Sequence, residues 1–251
     1  MQTDSRPPGR LVVVATPIGN LEDLAPRAAR ALAEADLVAS EDTRHTGRLL
    51  AHLGLKRPLV SLHEHNERQR LPQLLDRLEG GATIALVSDA GTPLVSDPGF
   101  VLVRAAIAAG FRVEPIPGPS AVLAALVASG LPPCPFTFAG FPPPKSGRRR
   151  SFYRRLAELG HTVVLFESPH RLLASLADAV AELGDRPAAI GRELTKLHEE
   201  VLRGGLAALR EGLAARPALK GEIAIVIGGS AGDQPASEPE IQQPPSTRVP
   251  E

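Results

Sequence analysis

Tryptophan is absent and tyrosine occurs once, so aromatic residues make up only 3% of the 251 residues. The core must therefore come from Ala, Leu, Val and Ile, within a hydrophobic content of 43%. That length is enough for one large domain or two small ones. Cys134 is the single cysteine, which excludes a disulfide framework and any multi-cysteine zinc site. Neither sign of charge is in excess: 28 Lys and Arg balance 28 Asp and Glu. Bulk electrostatics thus makes no case for non-specific nucleic-acid binding, and any such binding needs a local patch. The N-terminal MQTDSRPPGR lacks the apolar run of a signal peptide. The stretch AVLAALVASGL (121–131) is too short and too interrupted to span a bilayer. These absences point to a soluble, cytoplasmic protein with no membrane partner.

What is present is an alternation. LVVVAT (11–16) is a continuous apolar run, as expected of a strand buried on both faces. Helical periodicity covers 26–35, and DLVASE (36–41) reads as the next strand, followed by a helix over 42–53. PLVSLH (58–63) is a third strand. Asn66 is placed to cap a helix that ends at Gly80-Gly81. TIALVSD (83–89) and RVEPIP (112–117) complete five strands. Asp97-Pro98 reads as a helix start, with Asp as the cap and Pro at the first helical position. This alternation with short connections predicts a parallel sheet covered by helices on both faces.

The second half differs. Strands are expected at 136–141, 162–168, 188–194, 199–204 and 222–228, with helices over 147–160, 169–184 and 205–216. The turn between 194 and 199 leaves no room for a crossover helix, so its strands must be antiparallel and the sheet mixed. The fold class is α/β, in two α/β domains spanning 11–118 and 119–229. Residues 1–10 and the Pro/Ser/Glu/Gln-rich 230–251 are expected to be disordered.

Three loops fall at the carboxyl ends of predicted parallel strands, where such folds bind ligands. ATPIGNLEDL (15–24) has Gly19 but not the G-x-G-x-x-G of a dinucleotide cradle. In LVSDAGTPLVSDPG (86–99), Gly91 and Gly99 allow close backbone approach, Thr92 and Ser96 offer hydroxyls, and Asp89 has no structural task in view. GPSAVLAAL (118–126) opens a helix whose free N–H groups face the same crevice.

VVATPIGNLEDL, SEDTRHT, VSDAGTPLVSDPG, PIPGPSA and FESPHRL, taken together, resemble the ribosomal RNA small subunit methyltransferase I family. The resemblance runs from about residue 11 to 229. It implies the tetrapyrrole methylase fold, a class III S-adenosylmethionine methyltransferase with the cofactor folded in a cleft between two α/β domains. It also implies methylation of the 2′-oxygen of a cytidine in 16S rRNA of the small ribosomal subunit, by a homodimer. Carried onto this chain, the cofactor contacts are Pro17, Ile18, Asp89, Gly91, Thr92, Ser120 and Ala121, with Phe166, Ser168 and Leu194 from the second domain.

Methyl transfer from a sulfonium needs no metal, because the cofactor carries the reactivity and the protein orients it. A ribose hydroxyl is a weak nucleophile, so a general base is expected. Candidates are Glu41 and Asp42 in SEDTR, Glu167 in FESPHR, and Glu193 or a neutral, buried Lys196 in GRELTK. Ser40 or Asp42 serves equally as a helix cap, with Arg44 in solvent. Under the resemblance Arg44 meets phosphate, and His63 lies on a loop at the RNA side of the cleft. His63 and His65 lack a third His or a Cys, so no metal is expected. Lys145, Arg148, Arg149, Arg150, Arg154 and Arg155 cluster around Phe152 and Tyr153 at a helix start, where positive charge opposes the helix dipole. An arriving RNA phosphate would explain that placement, as would a solvated face. His170 and Arg171 are further candidates for RNA, while ordinary interstrand ion pairs explain part of GRELTKLHEE. Two other readings stay open: a tetrapyrrole or other small-molecule methyltransferase, which would not need the arginine-rich stretch, and a non-catalytic ribosome-binding module.

Overall fold

The computed structural model describes residues 9–229. The expectations for residues 1–8 and 230–251 lie outside the described residues. Gly9 and Arg10 overturn the proposed extension at its inner end. Gly9 is buried and its N–H donates to the Leu78 carbonyl (3.0 Å), and Arg10 already begins the first strand.

The first sheet holds β1 (Arg10–Val14), β2 (Leu37–Ser40), β3 (Leu59–Ser61), β4 (Thr83–Val87) and β5 (Arg112–Ile116), all parallel, in the order β3-β2-β4-β1-β5. Helices α1 (Pro26–Glu34) and α2 (Thr43–His52) bury Ala28, Leu32, Leu49 and Leu50 on one face against Val12, Val14 and Val38. Helices α3 (Glu67–Glu79) and α4 (Phe100–Ala108) bury Leu74, Leu78 and Leu102 on the other, against Leu11, Ala39 and Ile84. Successive strand residues feed opposite cores, which is why these strands read as unbroken apolar runs.

The second sheet has the order β6-β7-β10-β8-β9. Its strands are β6 (Phe136–Phe138), β7 (Thr162–Glu167), β8 (Pro187–Arg192), β9 (Glu200–Gly205) and β10 (Ile223–Ile227). Only β6 and β7 pair in parallel, and β8 and β9 are antiparallel neighbours as their short turn required. Helices α6 (Ser146–Ala157), α7 (Leu172–Leu183) and α8 (Leu206–Ala214) cover one face. Helix α5 (Ala121–Ser129) covers the other, in a cluster that also takes in Ile18 and Leu194. No helix of the described residues is long and apolar enough to cross a membrane.

Two helix starts differ from expectation. Asp97 does not cap α4, which begins three residues later behind Gly99. The cap comes instead from α3: the buried Glu67 Oε1 accepts the N–H groups of Val101 (2.9 Å) and Leu102 (3.2 Å). Asn66 precedes α3 but makes no side-chain cap. Its Oδ1 accepts the His63 N–H (2.9 Å) and its amide donates to the Ser61 carbonyl (3.1 Å), tying off the β3 exit.

Candidate active site

Parallel pairing brings the carboxyl ends of β1, β2 and β4 to one edge. There the loop after β1 and the loop after β4 are joined by two backbone hydrogen bonds, Thr16 N–H to Gly91 O (2.9 Å) and Gly91 N–H to Thr16 O (3.0 Å). The Thr92 hydroxyl then donates to the Pro119 carbonyl (3.2 Å), which links this edge to the start of α5. The β4 loop is held in a contorted backbone. Gly91, Leu94, Ser96 and Gly99 all have positive φ (79°, 72°, 70° and 120°). Backbone strain of this kind persists where surrounding contacts over-determine it, commonly at ligand sites. Gly91 also needs its missing side chain, since a Cβ there would meet Ile18 Cγ2 at 3.2 Å.

Between the two sheets this arrangement leaves a cleft of about 350 Å³, within the range of small-molecule sites. Of the residues expected to touch cofactor, Ile18, Asp89, Gly91, Thr92, Ser120, Ala121, Phe166, Ser168 and Leu194 line it. Pro17 does not. The far wall holds residues that strand assignment alone had not singled out: Phe141, Pro169, Gly191, Gly221 and Glu222. Phe141 is 53% exposed and leans on Phe166, ring centres 5.6 Å apart. Among the described residues four acids line the cleft, Asp89, Asp97, Glu167 and Glu222, and no Lys or Arg does. Arg171 and Lys196 answer Glu167 and Glu222 (2.8 and 3.1 Å), so it is Asp89 and Asp97 whose charge favours a positively charged ligand.

Asp89 has a structural task after all, since its Oδ1 accepts the Asp42 N–H (3.0 Å) and fixes the β2 exit. Burial, with Glu41 and Asp89 close by, pushes the Asp97 pKa up to about 6. Burial first, then Asp89 and Glu64, raises Glu41 above the usual carboxylate range.

The candidate bases separate clearly. Asp42 caps α2 through the Arg44 N–H (2.8 Å), and its hydrogen bonds with Arg44 lower its pKa to about 2. Arg44 is therefore paired with Asp42, although its side chain is 88% exposed. Lys196 is not neutral. Burial pulls its pKa down, but contacts with Glu193 (3.0 Å) and Glu222 (3.1 Å) outweigh that and leave it raised. Glu193 accepts the Glu222 N–H (2.9 Å), which, with Lys196, holds its pKa below the ordinary value. Both depart from a general-base role because their charged forms are locked into one another. Glu167 Oε1 accepts from Arg171 (2.8 Å) and the Ser168 N–H (2.8 Å). Its Oε2 is unpartnered but sealed from solvent. Glu41 makes no side-chain hydrogen bond among the described residues.

The basic helix also resolves. Arg149 is buried and bonds Asp178 (2.7 Å) and the Pro144 carbonyl (3.2 Å), so it is a structural residue and not free for RNA. Arg150 and Arg154 both pair with Glu182 on α7. The helix dipole conflict noted in the sequence is thus answered by acids of the neighbouring helix. Lys145, Arg148 and Arg155 stay exposed without an ion pair among the described residues. Phe152 packs against the core, and the Tyr153 hydroxyl meets Ser175 Oγ (2.7 Å), with burial raising its pKa to about 12. His170 is exposed. His63 Nε2 meets the Asn66 amide (3.0 Å) and its Nδ1 is buried without a partner.

Comparison with known proteins follows the same lines. The family model of tetrapyrrole (corrin/porphyrin) methylases matches residues 10–210. The chain is 51% identical over 233 residues to ribosomal RNA small subunit methyltransferase I of Xylella fastidiosa (strain Temecula1), covering 92% of this chain and 85% of that one. It is 52% identical over 229 residues to the protein of that name from Mesorhizobium japonicum, covering 90% and 78%. Among solved structures, uroporphyrin-III C-methyltransferase from Thermus thermophilus complexed with S-adenosylhomocysteine aligns at TM-score 0.61 and 22% identity, over 88% of this chain and 97% of that one. Diphthine synthase aligns at TM-score 0.67 and 17% identity, over 88% and 90%. These two likenesses speak to the fold.

Proposed function

The chain belongs to the tetrapyrrole methylase family and, within it, to the ribosomal RNA small subunit methyltransferase I family; from that premise we propose that it methylates the 2′-oxygen of a cytidine in 16S rRNA of the small ribosomal subunit. The observation that carries the cofactor assignment is the cleft wall, where among the described residues Asp89 and Asp97 have no ion-pair partner, no Lys or Arg lines the space, and Glu167 and Glu222 are answered by Arg171 and Lys196. S-adenosylmethionine, when bound, supplies an electrophilic methyl group on a positively charged sulfur. Asp89 and Asp97 give the cleft the matching charge, Ile18 and Phe166 the apolar walls, and Gly91 the close backbone approach.

For the ribose proton, Glu41 is the acceptor we favour. Its pKa is raised and no hydrogen bond occupies it, whereas Asp42, Glu193 and Lys196 are held charged in pairs. A base nearer neutrality transfers protons more effectively at physiological pH. Lys145, Arg148, Arg155 and His170 remain available for RNA. The reading includes units of 11–118 and 119–229, each with its own sheet, a homodimer, and a cytoplasmic site of action on the small subunit.

The test is methyl transfer from labelled S-adenosylmethionine to small subunits lacking the modification, followed by nuclease mapping. One 2′-O-methylcytidine is expected, and Glu41→Gln should lower kcat while cofactor affinity holds. Cofactor binding without methylation of RNA would favour a small-molecule substrate, and no cofactor binding would leave a binding module.

A further inference from the structure

A second groove lies outside the cleft, along the free edge of the first sheet. Among the described residues β3 pairs only with β2, and its other edge has no strand on it. Beside it runs a groove of about 470 Å³ walled by Leu59, Ser61, Thr43 at the start of α2, and Arg70, Gln73 and Arg77 of α3. The i, i+3, i+7 spacing sets the three α3 residues along one side of the helix, next to the stripe of Leu71, Leu74 and Leu78 that packs on the sheet. The two guanidinium stems are about 10 Å apart along the helix axis.

Neither arginine has an ion-pair partner among the described residues. Arg70 reaches only Gln73 Oε1, at 3.4 Å. Arg149, Arg150 and Arg154 on α6 make the contrast, since acids of α7 answer all three. One end of the groove lies at the sheet edge that carries the site. The sheet is parallel, so Ser61, at its Arg70 end, lies on the same edge as Ser40 of β2 and Val87 of β4, and the loop after β4 builds the cleft.

We infer that this groove holds the phosphodiester backbone of the RNA where it leaves the cleft, with Arg70 and Arg77 each on a phosphate. Guanidinium groups match phosphate oxygens in a fork, and backbone contacts of this kind position a strand without reading its sequence. The inference rests on the RNA reading above and adds a contact surface on the N-terminal unit, opposite in the chain from Lys145 and Arg148.

The experiment uses the full chain carrying Arg70→Gln and Arg77→Gln together. Binding to unmethylated small subunits is measured across about 50–200 mM salt. The dependence of log affinity on log salt should become shallower by about 1.4–1.8, since each of the two phosphate contacts contributes about 0.7–0.9. Calorimetric affinity for S-adenosylmethionine and the unfolding midpoint should match the wild type, and Arg70→Lys with Arg77→Lys should restore most of the slope. Wild-type affinity and slope in the Gln variant, with methylation intact, would overturn this inference alone and leave the β3 edge to a strand of a protein partner. A wild-type chain that neither binds nor methylates the subunit would overturn the RNA reading, and this inference with it.

Discussion

Lys196 lies across Gly19: a Cβ on the glycine would fall 2.3 Å from the lysine Cγ and 2.9 Å from Thr195 Oγ1. The loop after β1 and the loop after β8 therefore meet through a missing side chain. The lysine stem cannot yield without loosening its contacts with Glu193 and Glu222. Gly19→Ala should destabilise the protein by about 1–3 kcal/mol, the usual range for overpacking, and weaken cofactor binding through the adjacent Ile18. In a double-mutant cycle with Lys196→Ala the combined loss should fall well short of the sum, because the second change removes the obstruction. Additive losses in urea denaturation would contradict the contact.

Glu67 caps a helix whose second residue, Val101, lies 34 residues further along the chain. Glu67→Ala leaves the Val101 and Leu102 N–H groups without their acceptor and should cost about 2 kcal/mol. Hydrogen exchange should locate the effect, with faster exchange at the first turn of α4 and little change in α6 and α7.

Arg149 and its neighbour Arg148 should part company. Arg149→Met strands Asp178, whose side chain is 14% exposed, and should destabilise by about 3–5 kcal/mol. Arg148→Met should leave the unfolding midpoint within about 0.5 kcal/mol of the wild type while weakening RNA binding. Equal stability of the two variants would overturn the structural role of Arg149.

Asp97 makes stability fall as pH rises. Its folded pKa of about 6 lies above the ordinary 3.8, so between about pH 4 and 6 the folded state keeps a proton that the unfolded state releases. Below that window both states are protonated and nothing is lost. Above it the burden is complete, about 3 kcal/mol for the whole displacement and about 1 kcal/mol after solvent screening of a partly exposed carboxyl. Asp97→Asn should thus stabilise the protein at pH 8 and be neutral at pH 4, read from thermal unfolding at both.

Sequence alone determined the order and type of the ten strands and eight α-helices among the described residues, the parallel first sheet and the mixed second one, and missed only the short 3-10 turn at Leu21–Asp23. Those follow from signals carried within a few residues: apolar runs for strands buried on both faces, and a turn at 194–199 too short for a crossover. The loop at 86–99, which lines the cleft, was legible as a candidate ligand loop for the same reason. Its glycines, prolines and hydroxyls sit together at one strand end.

Tertiary structure alone decided what the charged residues do. Asp97 and Glu67 both look like helix-start acids, but only packing shows which one reaches the N–H groups of α4. Arg149 and Arg148 are adjacent and identical in type, yet one faces Asp178, 29 residues away, and the other faces water. Glu222 joins the cleft, and Lys196 stays charged, through contacts that cross from one loop to another. The energy of a charge depends on its partners and its burial, and both are properties of the folded surface that no local stretch of sequence contains.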